Sequence, residues 1–237
     1  MVPLWNPTLI MIITLGGVKG GEGKSTLATN LAICRSTKGY DVLLVDADKQ
    51  RSASDFTLAR KETLASSSTG YTAIQLQGTA VRDEVQRLAS KYDDIIIDVG
   101  GRDTVEQRAA IAISQVYAIP VVPSSYDLWA LEQVAVLIEE GRAFNPSLQA
   151  LCFLNKSPSR GKDITDVIAL IQDLTQLTYI DAILVDRKAW RDATAKGVSI
   201  IEYIPRNPKA IDELWALYNA LFDRQLDTKH QPNRRHQ

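Results

Sequence analysis

The 237-residue sequence predicts an α/β fold, a three-layer sandwich in which a mostly parallel twisted sheet carries helices on both faces. Three observations predict it. Short apolar runs without polar alternation, as at 9–15 and 150–154, are what strands covered on both faces require. Stretches with apolar residues at helical spacing lie between such runs. Two of the runs end in an aspartate and one in a glycine loop, and the carboxyl edge of an open α/β sheet is where chemistry collects.

The first strand, 9–15, runs into Gly16-Gly17-Val18-Lys19-Gly20-Gly21-Glu22-Gly23-Lys24-Ser25-Thr26, after which Leu27, Ala28, Leu31 and Ala32 repeat at helical spacing. This reads as a phosphate-binding loop. Gly20, Gly21 and Gly23 permit positive φ angles and turn backbone N–H groups around an anion, at the positive end of the next helix. Lys24 reaches the β- and γ-phosphates and the Ser25 hydroxyl ligates Mg²⁺, with Glu22 and Thr26 completing the nucleotide-binding loop.

Lys38-Gly39-Tyr40 ends the first helix, and 42–45 is a second strand finishing in Asp46. A short helix at 54–64, an edge strand at 72–76 and a helix at 79–91, with Val81, Val85 and Leu88 on one side, form scaffold. The strand within 92–99 delivers Asp98 to its end, ahead of Gly100 and Gly101. Next come a strand at 117–122 ended by Pro123, and a helix at 127–142 whose stripe is Leu128, Leu131, Val134, Ala135 and Ile138. Strand 150–154 ends in Asn155-Lys156, helix 163–175 follows, and 178–184 is the last strand-like run. The final helix, 208–226, places Ile211, Leu214, Trp215, Tyr218, Leu221 and Phe222 on one face and acidic residues on the other. One domain is expected over 1–226, with a frayed polar tail at 227–237.

A hydrophobic fraction of 45% suits a well-buried core, and a net charge of −1 gives no global pull toward polyanions. No apolar run reaches the roughly 18 residues that cross a bilayer, and residues 1–10 lack a secretion signal's pattern, so a cytoplasmic protein is expected. Cys34 and Cys152, far apart and without a CxxC pattern, read as buried reduced thiols.

The loop departs from the ordinary P-loop. Val18 stands where a glycine is wanted, and Lys19 directly precedes the glycine pair. Lys-Gly-Gly-x-Gly-Lys-Ser resembles the deviant Walker A motif of the ParA/MinD family of ATPases. That resemblance implies a SIMIBI-type P-loop NTPase fold, ATP and Mg²⁺ as cofactors, and a homodimer on ATP binding in which Lys19 crosses to the partner's nucleotide. Asp46-Ala47-Asp48-Lys49-Gln50 resembles the family's Asp-x-Asp-Pro-Gln signature, with Lys49 in place of proline. It implies that Asp46 positions the attacking water and joins the metal shell. The strand ending in Asp98 and the glycines after it resemble the Walker B strand and switch loop, which puts Asp98 with Ser25 on Mg²⁺. The Gly-Gly-Arg-Asp wording is similar to the small ParF-like ParA proteins. By family position Asn155 reads the adenine edge, the backbone at Pro205 lies against the adenine ring, and Arg187, Lys188 and Arg191 bind DNA non-specifically.

The function implied is an ATPase, weak alone and stimulated by a ParB-like or McdB-like adaptor, that works over the nucleoid. Plasmid partition is the first expectation and organelle positioning by a McdA-like relative the second. A MinD-like membrane regulator fits the acidic last helix poorly, because a membrane-binding helix pairs its apolar face with cations. A metabolic P-loop ligase would share the loop without needing Lys19. Nitrogenase-type iron chemistry is excluded, since no cysteine lies near the switch loop to hold a cluster.

Overall fold

Seven parallel strands form the sheet of the computed structural model, which describes residues 10–17, 19–65, 68–123, 128–159 and 162–222. The strands are β1 (Met11–Leu15), β2 (Val42–Ala47), β3 (Thr72–Gln75), β4 (Asp94–Val99), β5 (Val116–Val121), β6 (Gln149–Ser157) and β7 (Thr178–Val185). They lie in the order β3-β2-β4-β1-β5-β6-β7. After β4 the chain crosses to the other side of β1, so the crevice beyond the end of β1 is the sheet's switch point.

β1, β2, β4, β5 and most of β6 are buried because both faces of the sheet are covered there, whereas β3 and β7, at its two edges, are partly exposed. Met11, Ile13 and Leu15 pack with helix α1 (Lys24–Thr37), α2 (Ser52–Leu64) and α8 (Pro208–Phe222). Ile12, Leu43, Val45, Ile95 and Ile97 meet Val81 and Val85 of α3 (Ala80–Leu88) and Ala109 and Ala110 of α4 (Val105–Ile111). On the other half of that face, β5 and β6 meet α5 (Leu128–Arg142) and α6 (Lys162–Asp173). Each fully buried Leu or Ile here contributes about 1.5–3 kcal/mol. At the edge opposite the switch point, Arg35 of α1 donates to Asp94 at 2.5 Å and to the Tyr218 hydroxyl at 2.9 Å, tying α1, β4 and α8 together. Burial raises the Asp94 carboxyl, and the Arg35 bonds pull it back.

Several expected boundaries move. Asp46 lies inside β2 rather than after it, and Asn155 and Lys156 lie inside β6. Helix α4 was not expected; its cap is Thr104, whose side chain accepts from the Gln107 N–H at 3.2 Å. Leu128 is exposed instead of joining the α5 stripe. On α8, Ala210 and Leu217 are buried while Ile211 and Trp215 are only half-buried, so the core face is rotated from the expected one. Helix α7 (Lys188–Ala195) begins after Arg187, which is its N-cap, so Arg187 and Arg191 are not paired along one helix. Residue 9 of the first expected strand, Val18, residue 127 of the helix expected at 127–142, residues 223–226 of the last expected helix and the tail 227–237 lie outside the described residues. Cys34 and Cys152 are free and buried, as expected.

Candidate nucleotide and magnesium site

Three glycines of the loop between β1 and α1, Gly16, Gly21 and Gly23, sit where a side chain would be strained or would clash. Gly21 and Gly23 hold φ near 80° and 86°, the left-handed region. At Gly16 a Cβ would fall 2.0 Å from the Tyr117 hydroxyl oxygen. Beneath the loop, the fully buried Gln107 donates its amide N–H groups to the Gly17 carbonyl at 3.1 Å and to the Tyr117 oxygen, so α4 and β5 fix the loop's first turn. Helix α1 starts at Lys24 with no side-chain cap and no acidic residue in its first turn. Its first N–H groups and its dipole are therefore left for an anion.

Lys24 is almost wholly buried. Its ammonium donates to the Lys19 carbonyl at 2.5 Å and lies 3.6 Å from the Glu22 carboxylate. Burial raises the Glu22 carboxyl, while Lys24, Lys19 and Lys156 pull it down. The switch loop touches the same peptide: a Cβ on Gly101 would lie 2.1 Å from the Lys19 carbonyl oxygen and 2.7 Å from the Gly20 nitrogen. Gly101 is thus required for a close approach between backbones, beyond any freedom it lends the loop. Lys19, Lys24 and Gly101 meet at one carbonyl group.

Sheet register brings the two aspartates together. Asp46 of β2 is the direct neighbour of Asp98 on β4, and Asp98 in turn neighbours Leu15, the residue before the loop. The two carboxylates are not equivalent. Asp46 accepts from the Asp48 N–H at 3.2 Å, from the Ser54 N–H at 2.7 Å and from the Ser54 hydroxyl at 2.6 Å. Asp98 is fully buried, and among the described residues no donor is placed well enough to satisfy either of its oxygens, the Ser25 hydroxyl being the one near enough to pull on its charge. Burial, with Asp46 and Asp48 acting in the same direction, pushes its carboxyl from 3.8 up to about 8, against the pull of the Ser25 hydroxyl and Lys24. A buried carboxylate without partners costs several kcal/mol in its charged form. A cation removes that cost, and an all-oxygen set of Asp98, Asp46 and the Ser25 hydroxyl fits Mg²⁺. That ion keeps several waters and shares itself with phosphate oxygens. Among the described residues no cluster of three or more His, Cys, Asp or Glu could hold a metal unaided, so the nucleotide would supply part of the shell.

The remaining expected residues separate. Lys49 is exposed on a turn that closes with the Arg51 N–H bonded to the Asp48 carbonyl at 3.0 Å. Asn155 and Lys156 touch the phosphate loop: the Asn155 amide donates to the Glu22 carbonyl and the Lys156 ammonium to the Gly21 carbonyl, each at 2.6 Å. Pro205 is exposed in the connection that Ser199 and Ile200 anchor to Asn30 of α1. Arg187 is held by Glu213 of α8, and Arg191 pairs with Asp186 at 2.9 Å and Lys188 with Asp192 at 3.7 Å. Gln107, Tyr117 and Ser54 were missed by sequence reasoning. Only Gln107 carried a signal, the Thr-x-x-Gln spacing of a capping box from Thr104.

The profile of the CobQ/CobB/MinD/ParA nucleotide-binding domain matches residues 13–212. The chain belongs to that family. This ParA/MinD-family chain is therefore a nucleotide-binding protein with an ATPase fold. It is 28% identical over 215 residues to the maintenance of carboxysome distribution protein A of Halothiobacillus neapolitanus, covering 89% of this chain and 95% of that one. Among solved structures, a Cyanothece McdA in complex with ATP superposes with a TM-score of 0.72 at 16% identity, covering 94% of this chain and 98% of that one. A plasmid partition protein of Borrelia burgdorferi superposes with a TM-score of 0.63 at 19% identity, covering 90% and 98%. At such identities the structural likenesses speak for the fold of this ParA/MinD-family chain, which is a seven-stranded parallel sheet with helices on both sides.

Proposed function

We propose that this protein is an ATPase that dimerises around Mg-ATP, binds DNA without sequence preference and distributes a cargo until a partner protein triggers hydrolysis. The observation that carries the reading is the crowding at the Lys19 carbonyl. A γ-phosphate competes for the Lys24 ammonium, draws it off that carbonyl and releases the Lys19–Gly20 peptide on which Gly101 packs. Nucleotide state and switch-loop position are thereby linked, and Lys19 turns to the second subunit's phosphates. Asp98 and Ser25, with Asp46 alongside, would hold Mg²⁺, which would supply charge neutralisation at the phosphates. Asp46 orients the attacking water, its own direction set by Ser54 and the Asp48 N–H. Catalysis of this kind is positioning and electrostatics, so turnover alone is slow and an adaptor completes the site.

Organelle positioning is favoured over the first expectation, plasmid partition, by the Halothiobacillus relative, whose length this chain matches almost throughout. Membrane docking through α8 finds no support, because Leu214, Leu217, Tyr218, Leu221 and Phe222 are buried in the core. For DNA, the surface narrows to Lys188 and Arg191, whose side chains are 82% and 67% exposed, three residues apart on α7. Arg187, at 22%, serves to fasten α7 to α8. Retention on random-sequence DNA with Mg-ATP is the test. The wild type should be retained and the Lys188→Ala/Arg191→Ala protein released at lower salt. Equal retention of both proteins at every salt concentration would contradict this surface.

A further inference from the structure

We infer that Asn155 and Lys156 are positioning residues for the triphosphate, aiming the N–H groups of the phosphate loop. The inference rests on the nucleotide-binding reading above. Successive residues of a strand point to opposite faces of the sheet, so Asn155 and Lys156 could not both face one loop from a regular β6. They do so here because β6 is irregular at that point. Its pairing with β7 slips between Leu154 and Ser157, and Lys156 holds φ at 49°, a left-handed backbone that a lysine adopts at a cost. A Cβ on Gly23 would meet both side chains, the Asn155 amide nitrogen at 2.5 Å and the Lys156 Cε at 3.6 Å.

What the pair does follows from peptide planarity. In a trans peptide the C=O of one residue and the N–H of the next point in opposite directions. Lys156 holds the Gly21 carbonyl and Asn155 the Glu22 carbonyl, each at 2.6 Å, toward β6. The N–H groups of Glu22 and Gly23 consequently face away from β6, toward the triphosphate. Two adjacent peptides are oriented before the ligand arrives, so their reorganisation is not subtracted from binding. The left-handed φ of Gly21 and Gly23 is the backbone's share of the same arrangement.

The two roles for Asn155 predict different ligand dependence. Binding of ATP, GTP and inorganic tripolyphosphate, each with Mg²⁺, is measured by calorimetry for the wild type, Asn155→Ala, Lys156→Met and Lys156→Arg. Asn155→Ala and Lys156→Met should weaken all three ligands by one common factor, about ten-fold. Lys156→Arg, which keeps a donor, should recover most of it. Loss of ATP alone in Asn155→Ala, with tripolyphosphate unchanged, would make Asn155 a base reader and overturn the inference. Wild-type protein that binds none of the three ligands overturns the nucleotide reading itself, a distinct result.

Discussion

The ends of β2 and β4 are one strand apart and carry the same chemical group, yet they solve opposite problems. Asp46 accepts three hydrogen bonds from its own loop and helix α2, whereas Asp98, its partner in register, is deeper and no well-placed donor among the described residues satisfies it. The first carboxylate is part of the folded structure and is directed by it. The second, in the function proposed here, is an incomplete site whose cation would arrive with the nucleotide. The proposed function thus leans on the carboxyl group that the fold leaves unsatisfied, and its precision on the one that the fold directs.

Neutralising Asp98 should break the comparison most visibly. Asp98→Asn is expected to lower Mg-dependent phosphate release by about a hundred-fold or more, since the metal's place is lost. The same change should stabilise the nucleotide-free protein at neutral pH by roughly 1–3 kcal/mol, because folding no longer requires the side chain to take up a proton that the unfolded aspartate releases. Asp46→Ala should also slow hydrolysis while ATP binding persists, but its stability change has the opposite sign. Ser54 and the Asp48 N–H lose their acceptor, at about 1–3 kcal/mol, visible as a lower melting temperature.

A pH titration sharpens the contrast further. Folded Asp98 keeps its proton up to about 8, whereas an unfolded aspartate releases it near 4. Between these values the folded state binds more protons, so stability of the metal-free protein should fall as pH rises through that window. Asp98→Asn should flatten the slope, and a slope identical in both proteins would refute the assignment. The smallest effect belongs to the third carboxylate, Glu22, which sits 3.6 Å from Lys24. Glu22→Gln should raise ATP affinity only a few-fold, roughly the strength of a partly solvated ion pair.

What the sequence disclosed divides along the same line. That Gly20 to Ser25, Asp46 and Asp98 would meet at one end of the sheet was legible, because a glycine loop after one apolar run and an aspartate at the end of two others mark the carboxyl edge. The inner strands were legible because burial on both faces leaves an unbroken apolar run, and the edge strands β3 and β7 only as shorter, half-exposed runs. The occupation of Asp46 by Ser54 was not, since it depends on how α2 docks. Nor was the irregularity of β6 that turns Asn155 and Lys156 onto one loop, because a strained backbone leaves no composition signal. The partners of Arg187, Lys188 and Arg191 come from neighbouring turns and from α8, and only the packed fold shows that each cation already has an acid beside it.

The central claim, that the nucleotide draws two subunits together through Lys19, is tested most directly by analytical ultracentrifugation. With Mg-ATP the Asp46→Ala protein, slow to hydrolyse, should sediment as a dimer, and as a monomer with Mg-ADP. Adding Lys19→Ala to it should abolish the dimer while calorimetry still registers ATP binding. A dimer of the double variant as tight as that of Asp46→Ala alone would contradict the account.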